Sequence, residues 1–127
     1  MRKELLPPLA ILAVILAFTL WNSAAMTAHT ARWQTQLQQA EAQAQQEQWP
    51  AAAALLAGSY DDWQTHQSYL HIVSRHDVID NADAMYCRAQ AFAATEELSE
   101  FRAELADLRS QLRLLAEMER FSLKNIL

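Results

Sequence analysis

The chain divides by pattern into one apolar run and a succession of amphipathic stretches. After Met1-Arg2-Lys3-Glu4, no formal charge occurs until Arg32. Within that gap, Leu9 to Met26 is 18 residues, about 27 Å of helix, close to the thickness of a bilayer's hydrocarbon core. Pro7 and Pro8 suit the first turn of a helix, where the missing N–H has no partner to lose. Trp21 falls where an interfacial aromatic belongs. The amino group, Arg2 and Lys3 outweigh Glu4, an imbalance that keeps the short tail in the cytoplasm and sends the rest of the chain outside. A cleaved signal peptide shares several of these features. It would use the basic flank, the 12-residue apolar run Leu9–Leu20 and the small residues Ser23 and Ala25. Helix-compatible sequence nevertheless continues through Ala24-Ala25-Met26 without a breaker, which favours a retained anchor. The expected organisation is a cytoplasmic tail at 1–7, a transmembrane anchor at 8–26 and an exported domain at 27–127.

Four helical stretches follow from the spacing of apolar residues. The first continues out of the apolar run to Gln48, with Trp33, Leu37, Ala40 and Ala44 on one face. Eight of the fifteen residues from Gln34 to Gln48 are glutamine. Glutamine-rich tracts can stay unfolded, but alanine and glutamine are good helix formers and the apolar spacing holds. Trp49-Pro50 ends this helix and begins the next, because the residue before a proline is pushed off the α region. The second helix runs to about Arg75, with a kink expected at Gly58-Ser59 and a face of Leu56, Tyr60, Trp63, Leu70 and Val73. The third begins near Asp77 and carries Ile79, Ala82, Met85, Tyr86, Ala89, Phe92 and Ala93. Thr95 is the expected cap of the fourth, with Glu96 and Glu97 in its first turn. Leu98, Phe101, Leu105, Leu108, Leu112 and Leu115 alternate in steps of three and four along it. Three other amphipathic helices need a partner, so this stripe reads as the seam of an intramolecular bundle rather than a dimeric coiled coil. The fold class is therefore all-α: an N-terminal transmembrane helix followed by an antiparallel three- to four-helix bundle.

Composition narrows the chemistry. The 127 residues include one glycine and one cysteine. That excludes glycine-rich phosphate loops, intrachain disulfides and multi-cysteine zinc motifs. From Thr27 onward, 8 basic residues face 14 acidic ones, a balance of −6. No basic stripe is available to neutralise phosphates, so nucleic acid is not an expected partner.

Candidate chemistry is sparse. His66, His71 and His76 are each five residues apart, so they cannot share one helical face. His76 and Asp80 lie one turn apart, and an antiparallel return of the last helix brings Glu119 to the same end of the bundle. These three would suit zinc or manganese, as in a metal sensor or an enzyme. The simpler reading is a polar clasp in which His76 donates to Glu119 and fastens two helix ends. Trp33 and Trp63 read as core rather than as a ligand-stacking set, with Trp49 packed under a helix junction. Leu105, Leu108 and Leu112 are the central seam. Cys87 reads as a small buried side chain. No serine or cysteine nucleophile stands with a base and an orienting group. No metal, cofactor or catalytic residue is assigned.

The order of motifs resembles a known family. A basic tail and one apolar helix lead to Gln48-Trp49-Pro50-Ala51-Ala52, then Trp63, then His76-Asp77-Val78-Ile79-Asp80. The chain ends in Glu117-Met118-Glu119-Arg120-Phe121-Ser122-Leu123-Lys124-Asn125-Ile126-Leu127. This is similar, over nearly the whole chain, to a bacterial family common in Gram-positive anaerobes and catalogued as domain of unknown function 4363. The resemblance implies a small anchored helical protein facing outward from the bacterial cell membrane, with an integral-membrane or envelope protein as partner. The functional expectation is a non-enzymatic accessory or interaction protein, touching the bilayer through residues 8–26.

Overall fold

The computed structural model describes the backbone of residues 2–73 and 76–126 and the side chains of residues 4–21, 24–67 and 76–118. Four helices account for it: α1 (Arg2–Gln45), α2 (Trp49–Val73), α3 (His76–Ala94) and α4 (Leu98–Ile126). α1 packs on α2 and α4, and α3 packs on the same two, so the helices form a closed antiparallel ring. The all-α bundle expected from the periodicity is the observed architecture, with four helices.

α1 is one helix 44 residues long, about 66 Å from end to end. It begins at Arg2, so Pro7 and Pro8 lie inside it rather than in its first turn. Neither proline has an N–H, so the carbonyls of Lys3 and Glu4 lose their helical partners there. From Leu5 to Trp21 its large apolar side chains are exposed on every side, among them Leu12, Val14, Phe18 and Trp21. From Met26 onward only one stripe is buried: Met26, Thr30, Trp33, Leu37, Ala40 and Ala44. The glutamine-rich stretch is helical as far as Gln45.

Two turns of the same construction join α1 to α2 and α3 to α4. After α1, the amide of Gln48 donates to the Gln43 carbonyl (2.8 Å) and that of Glu47 to the Ala44 carbonyl (3.0 Å). After α3, Glu97 donates to the Phe92 carbonyl (3.0 Å) and Glu96 to the Ala93 carbonyl (3.2 Å). This is the Schellman pattern, with Glu47 (φ 61°) and Glu96 (φ 56°) in the left-handed position. Thr95 therefore terminates α3, its hydroxyl donating back to the Ala91 carbonyl (3.2 Å), instead of capping α4 as expected. The residue before α4 is Glu97, whose carbonyl accepts from Phe101 (2.9 Å).

The two hairpins share one burial register. Trp33, Leu37, Ala40 and Ala44 on α1, and Ala52, Leu56, Ser59 and Trp63 on α2, are buried. Moving each by 49 positions, the separation of Glu47 from Glu96, gives Ala82, Tyr86, Ala89, Ala93, Phe101, Leu105, Leu108 and Leu112, also all buried. Antiparallel pairing stacks these sixteen residues into four layers, each mixing large and small residues. The layer nearest the exposed apolar segment holds Trp33, Trp63, Ala82 and Leu112, with the two indoles edge to face at 5.4 Å. At the far end Ala44, Ala52 and Ala93 leave room for Phe101, and Trp49 meets its ring at 5.4 Å.

Four local expectations are corrected. α2 runs unbroken through Gly58-Ser59, because Ser59 faces the core and exchanges a 2.8 Å hydrogen bond with the Tyr86 hydroxyl. Leu98, the first residue of α4, is 36% exposed and does not extend the seam inward. Cys87 is exposed, one residue beyond the buried Tyr86 and so rotated about 100° off its face. The α2 face is completed by Ala52 and Ser59, with Tyr60 packed at its margin; Leu70 and Val73 lie outside the described side chains.

The single glycine stands where it costs stability, and two glutamates stand where glycine would be preferred. A Cβ at Gly58 meets nothing within 4 Å. Gly58→Ala should therefore raise the melting temperature, by about 1 kcal/mol of helix propensity. Glu47→Gly or Glu96→Gly should add roughly 1 kcal/mol each by relieving a left-handed non-glycine residue. Thermal unfolding followed by circular dichroism measures all three, and Leu105→Asp in the same series should abolish the folded baseline.

Candidate functional site

A group of interacting polar side chains lies at the near end of the bundle, where the apolar segment of α1 becomes the buried stripe. A hairpin turning at residues 46–48 brings positions equally distant from the turn opposite one another. Thus His29 and Arg32 on α1 lie against His66 and Asp62 on α2. The Asp62 carboxylate accepts from Arg32 through Nε (2.9 Å) and through a terminal guanidinium nitrogen. The same oxygen accepts from the indole nitrogen of the fully buried Trp33 (2.5 Å). Arg32 also donates to Nδ1 of His29 (3.0 Å), and Nδ1 of His66 bonds the backbone carbonyl of Asp62 (2.8 Å). The two imidazole centroids are 4.1 Å apart, and His29 stacks on Trp33 at 6.1 Å.

These bonds set the charge states. Burial pushes the Asp62 carboxyl up. The hydrogen bonds from Arg32 and Trp33 and the charges of Arg32 and His66 outweigh it, holding Asp62 below its ordinary value. His29 is pushed below its ordinary value of 6.5 by burial, then by the His66 and Arg32 charges, against the pull of Asp62. Donor chemistry fixes the role of each Nδ1. A guanidinium can only donate, so His29 accepts at Nδ1 and carries its proton on Nε2. A carbonyl can only accept, so His66 carries a proton on Nδ1, which also lies 3.7 Å from Oδ1 of Asp62.

The residues singled out from sequence are distributed differently. Trp33 and Trp63 are fully buried, as are Leu105, Leu108 and Leu112. The indole N–H of Trp63 has no hydrogen-bond partner among the described residues. His76 and Asp80 are exposed in the first two turns of α3. Gln111 donates to the Val78 carbonyl (3.3 Å), which sets the start of α3 level with Gln111 on α4. Glu119 is two turns further along α4, and its side chain lies outside the described residues. The proposed clasp and the proposed metal triad thus both end on an undescribed group. Among the described residues, no three of His, Cys, Asp or Glu are placed to hold a metal. The His29–Arg32–Asp62–His66 group was not found from sequence, since its ends are 37 positions apart. The symmetry of the hairpin about residues 46–48 is the signal that pairs them.

Fold and site together define an antiparallel four-helix bundle whose first helix continues outward as a segment long and apolar enough to cross a membrane or to act as a signal sequence. The family model for a domain of unknown function, DUF4363, matches residues 20–126, and the chain belongs to that family. No curated protein and no solved structure matches it.

Asp62 ties Trp33 to Arg32 across the helix pair, and the tie is open to a double-mutant cycle. Asp62→Ala should cost about 1–3 kcal/mol, because the buried Trp33 indole loses its acceptor. Trp33→Phe in the Asp62→Ala background should cost less than in the wild type, as expected of partners in one network. The depressed carboxyl makes the sign of the pH effect definite: the stability Asp62 contributes is present above its unfolded-state value and is lost as pH falls through its lower folded value. Asp62→Asn should lack this acid limb in denaturant titrations.

Proposed function

We propose that the chain is a non-enzymatic, single-pass accessory protein of the bacterial envelope, which holds a four-helix bundle at the outer face of the membrane for another envelope protein to bind. The observation that carries this reading is the continuity of α1. The same helix exposes apolar side chains on all sides from Leu5 to Trp21 and, a turn or so later, enters the core at Met26. A helix apolar all round is matched to lipid, whereas one with a single apolar stripe is matched to a protein core. With no glycine, proline or loop between the two regimes, a bundle mounted on such a helix is held at a fixed distance from the bilayer. The basic residues Arg2 and Lys3 before the apolar segment support an outward orientation for the bundle. Several buried and half-buried polar groups hold helices together: Asp62 with Arg32 and Trp33, Ser59 with Tyr86, and Gln34 with Arg109. On this reading, binding is the activity.

Cys87, the single cysteine and an exposed one, reports the orientation directly. In protoplasts it should react with a membrane-impermeant maleimide before any detergent is added; protection until lysis would reverse the topology. Intact mass of the chain in the membrane fraction should include the residues before Met26, and a mature chain beginning near Met26 would replace the anchor by a signal peptide. Photo-crosslinkers on the bundle surface should give one reproducible envelope-protein product; recovery of the uncrosslinked monomer alone would overturn the accessory role.

A further inference from the structure

We propose that the outer face of the α1–α2 hairpin is a docking surface for a second copy of the same chain, so that two anchored bundles stand side by side in one membrane. The inference rests on the anchored reading of α1 given above and adds the chain itself as a partner.

The two hairpins are equivalent in burial and turn geometry, yet they differ in surface charge. Residues 33–60 contain two charged side chains, Glu41 and Glu47. The equivalent residues at the 49-position shift, 82–109, contain nine. Glu41 is half-buried and turned to α4, where it pairs with Arg102 (3.0 Å), and Glu47 stands at the turn beyond the end of α1. What faces outward is uncharged: Thr35, Gln39 and Ala42 on α1, and Ala54, Ala57 and Gly58 on α2, are all exposed. The contrast is sharpest where the paired helices meet. Arg88 and Glu104 bridge α3 to α4 on the surface of the second hairpin (2.7 Å). Their counterparts on the first are Gln39 and the half-buried Leu55.

A face of this kind suits a copy of itself. The exported domain carries −6, so two copies repel wherever their charged surfaces meet, and like charges set opposite one another count strongly against association. The α1–α2 face is free of that penalty. A two-fold axis presents the same patch on both partners, which calls for self-complementary groups. The glutamine amide is one, since it both donates and accepts; a carboxylate only accepts and a guanidinium only donates. Alanine and glycine along α2 let the backbone of a neighbouring helix come close.

Anchoring supplies the rest. From Thr35 to the end of α1 at Gln45 is about 16 Å of helix. A patch of that length and two helices wide falls short of the roughly 800 Å² per partner of a standard interface between free proteins. Two copies inserted in the same direction hold these faces at the same height above the bilayer, because α1 is continuous from the apolar segment to Gln45. Confinement to one plane raises their effective concentration, and rotation about the membrane normal brings face to face.

Single-cysteine variants of the full chain, in the membranes of cells that express it, test the contact. Cys87→Ser removes the existing thiol. The hairpin equivalence then supplies matched sites, Ala42 with Ala91 and Ala54 with Ala103, four exposed alanines. A bis-maleimide reaching about one helix diameter, roughly 10 Å, should give a product of twice the chain's mass from Ala42→Cys and from Ala54→Cys. Ala91→Cys and Ala103→Cys should stay monomeric. Gln39→Glu with Ala54→Glu, both at exposed positions, should abolish the product from Ala42→Cys while the circular dichroism of the bundle is unchanged; Ala103→Glu should leave the product in place. Equal product at all four sites would mark random collision and overturn the contact. A product joining Ala42→Cys or Ala54→Cys to a different protein would overturn the choice of a second copy. A chain missing from the membrane fraction would overturn the anchor and the dimer with it, whereas an anchored chain without product at either site overturns the dimer alone.

Discussion

One stripe on α1 has to be covered, and the bundle is the structure that covers it. Met26, Thr30, Trp33, Leu37, Ala40 and Ala44 line a single face of a helix that is continuous with an all-round apolar segment. Leaving that face in water would forfeit roughly 25 cal/mol for each Å² of apolar surface, with the Trp33 indole the largest single share. α2 and α4 flank it directly, and α3 closes the ring by packing on both. The side chains available for the task change along the axis. Near the apolar segment, two tryptophans fill the interior. Toward the turns, Ala40, Ala44, Ala52, Ala89 and Ala93 let the backbones approach, and single large residues such as Leu56 and Phe101 occupy the space between.

Alanine faces carry little shape information, so something else must fix how far each helix slides past the next. The turns supply part of it. Each Schellman closure ends one helix and, within three residues, starts the next, so register within a hairpin is set locally. Polar groups supply the rest. Sliding α2 by one turn would carry Asp62 away from Arg32 and the Trp33 indole, and Ser59 away from the Tyr86 hydroxyl. Each displaced group would then be left wholly or partly buried without its partner, at a cost well above that of a shifted apolar contact. Between hairpins, Arg109 with Gln34 and Arg102 with Glu41 (3.0 Å) join α4 to α1 on the surface, where such pairs add orientation more than stability.

The shared register of the two hairpins is partly visible in their sequences: Ala40, Ala44 and Leu56 match Ala89, Ala93 and Leu105, and the other five buried positions differ. Trp33 stands opposite Ala82 in the shifted numbering, Leu37 opposite Tyr86, and Ala52 opposite Phe101. Where the positions differ most, at Trp33 and Ala82 and at Ala52 and Phe101, a large residue in one hairpin is matched by a small one in the other. Burial and turn geometry carry this repeat at all eight positions, and residue identity at three of them. The same freedom explains Ser59: its layer already holds Tyr86, whose hydroxyl needs a partner, and a small hydroxyl residue at the facing position supplies it.

By itself the sequence determined the helices, their order and the faces they bury. Periodicity of apolar residues is a local property, legible wherever a stripe runs for two turns or more, as it does from Trp33 to Ala44 and from Phe101 to Leu115. It also determined the apolar segment, because a long uncharged run needs no partner to be recognised. The glycine and serine in α2 misled for the same reason: locally they favour a kink, and only the Tyr86 hydroxyl on another helix gives Ser59 cause to face inward. Thr95 misled likewise, since a hydroxyl with glutamates after it suits a helix start, and the hydrogen bonds of the preceding turn decide otherwise. The polar group at the near end was settled by tertiary structure alone. His29, Arg32, Asp62 and His66 have no meaningful spacing along the chain, and they become neighbours because a turn at residues 46–48 folds two helices together with those positions equidistant from it.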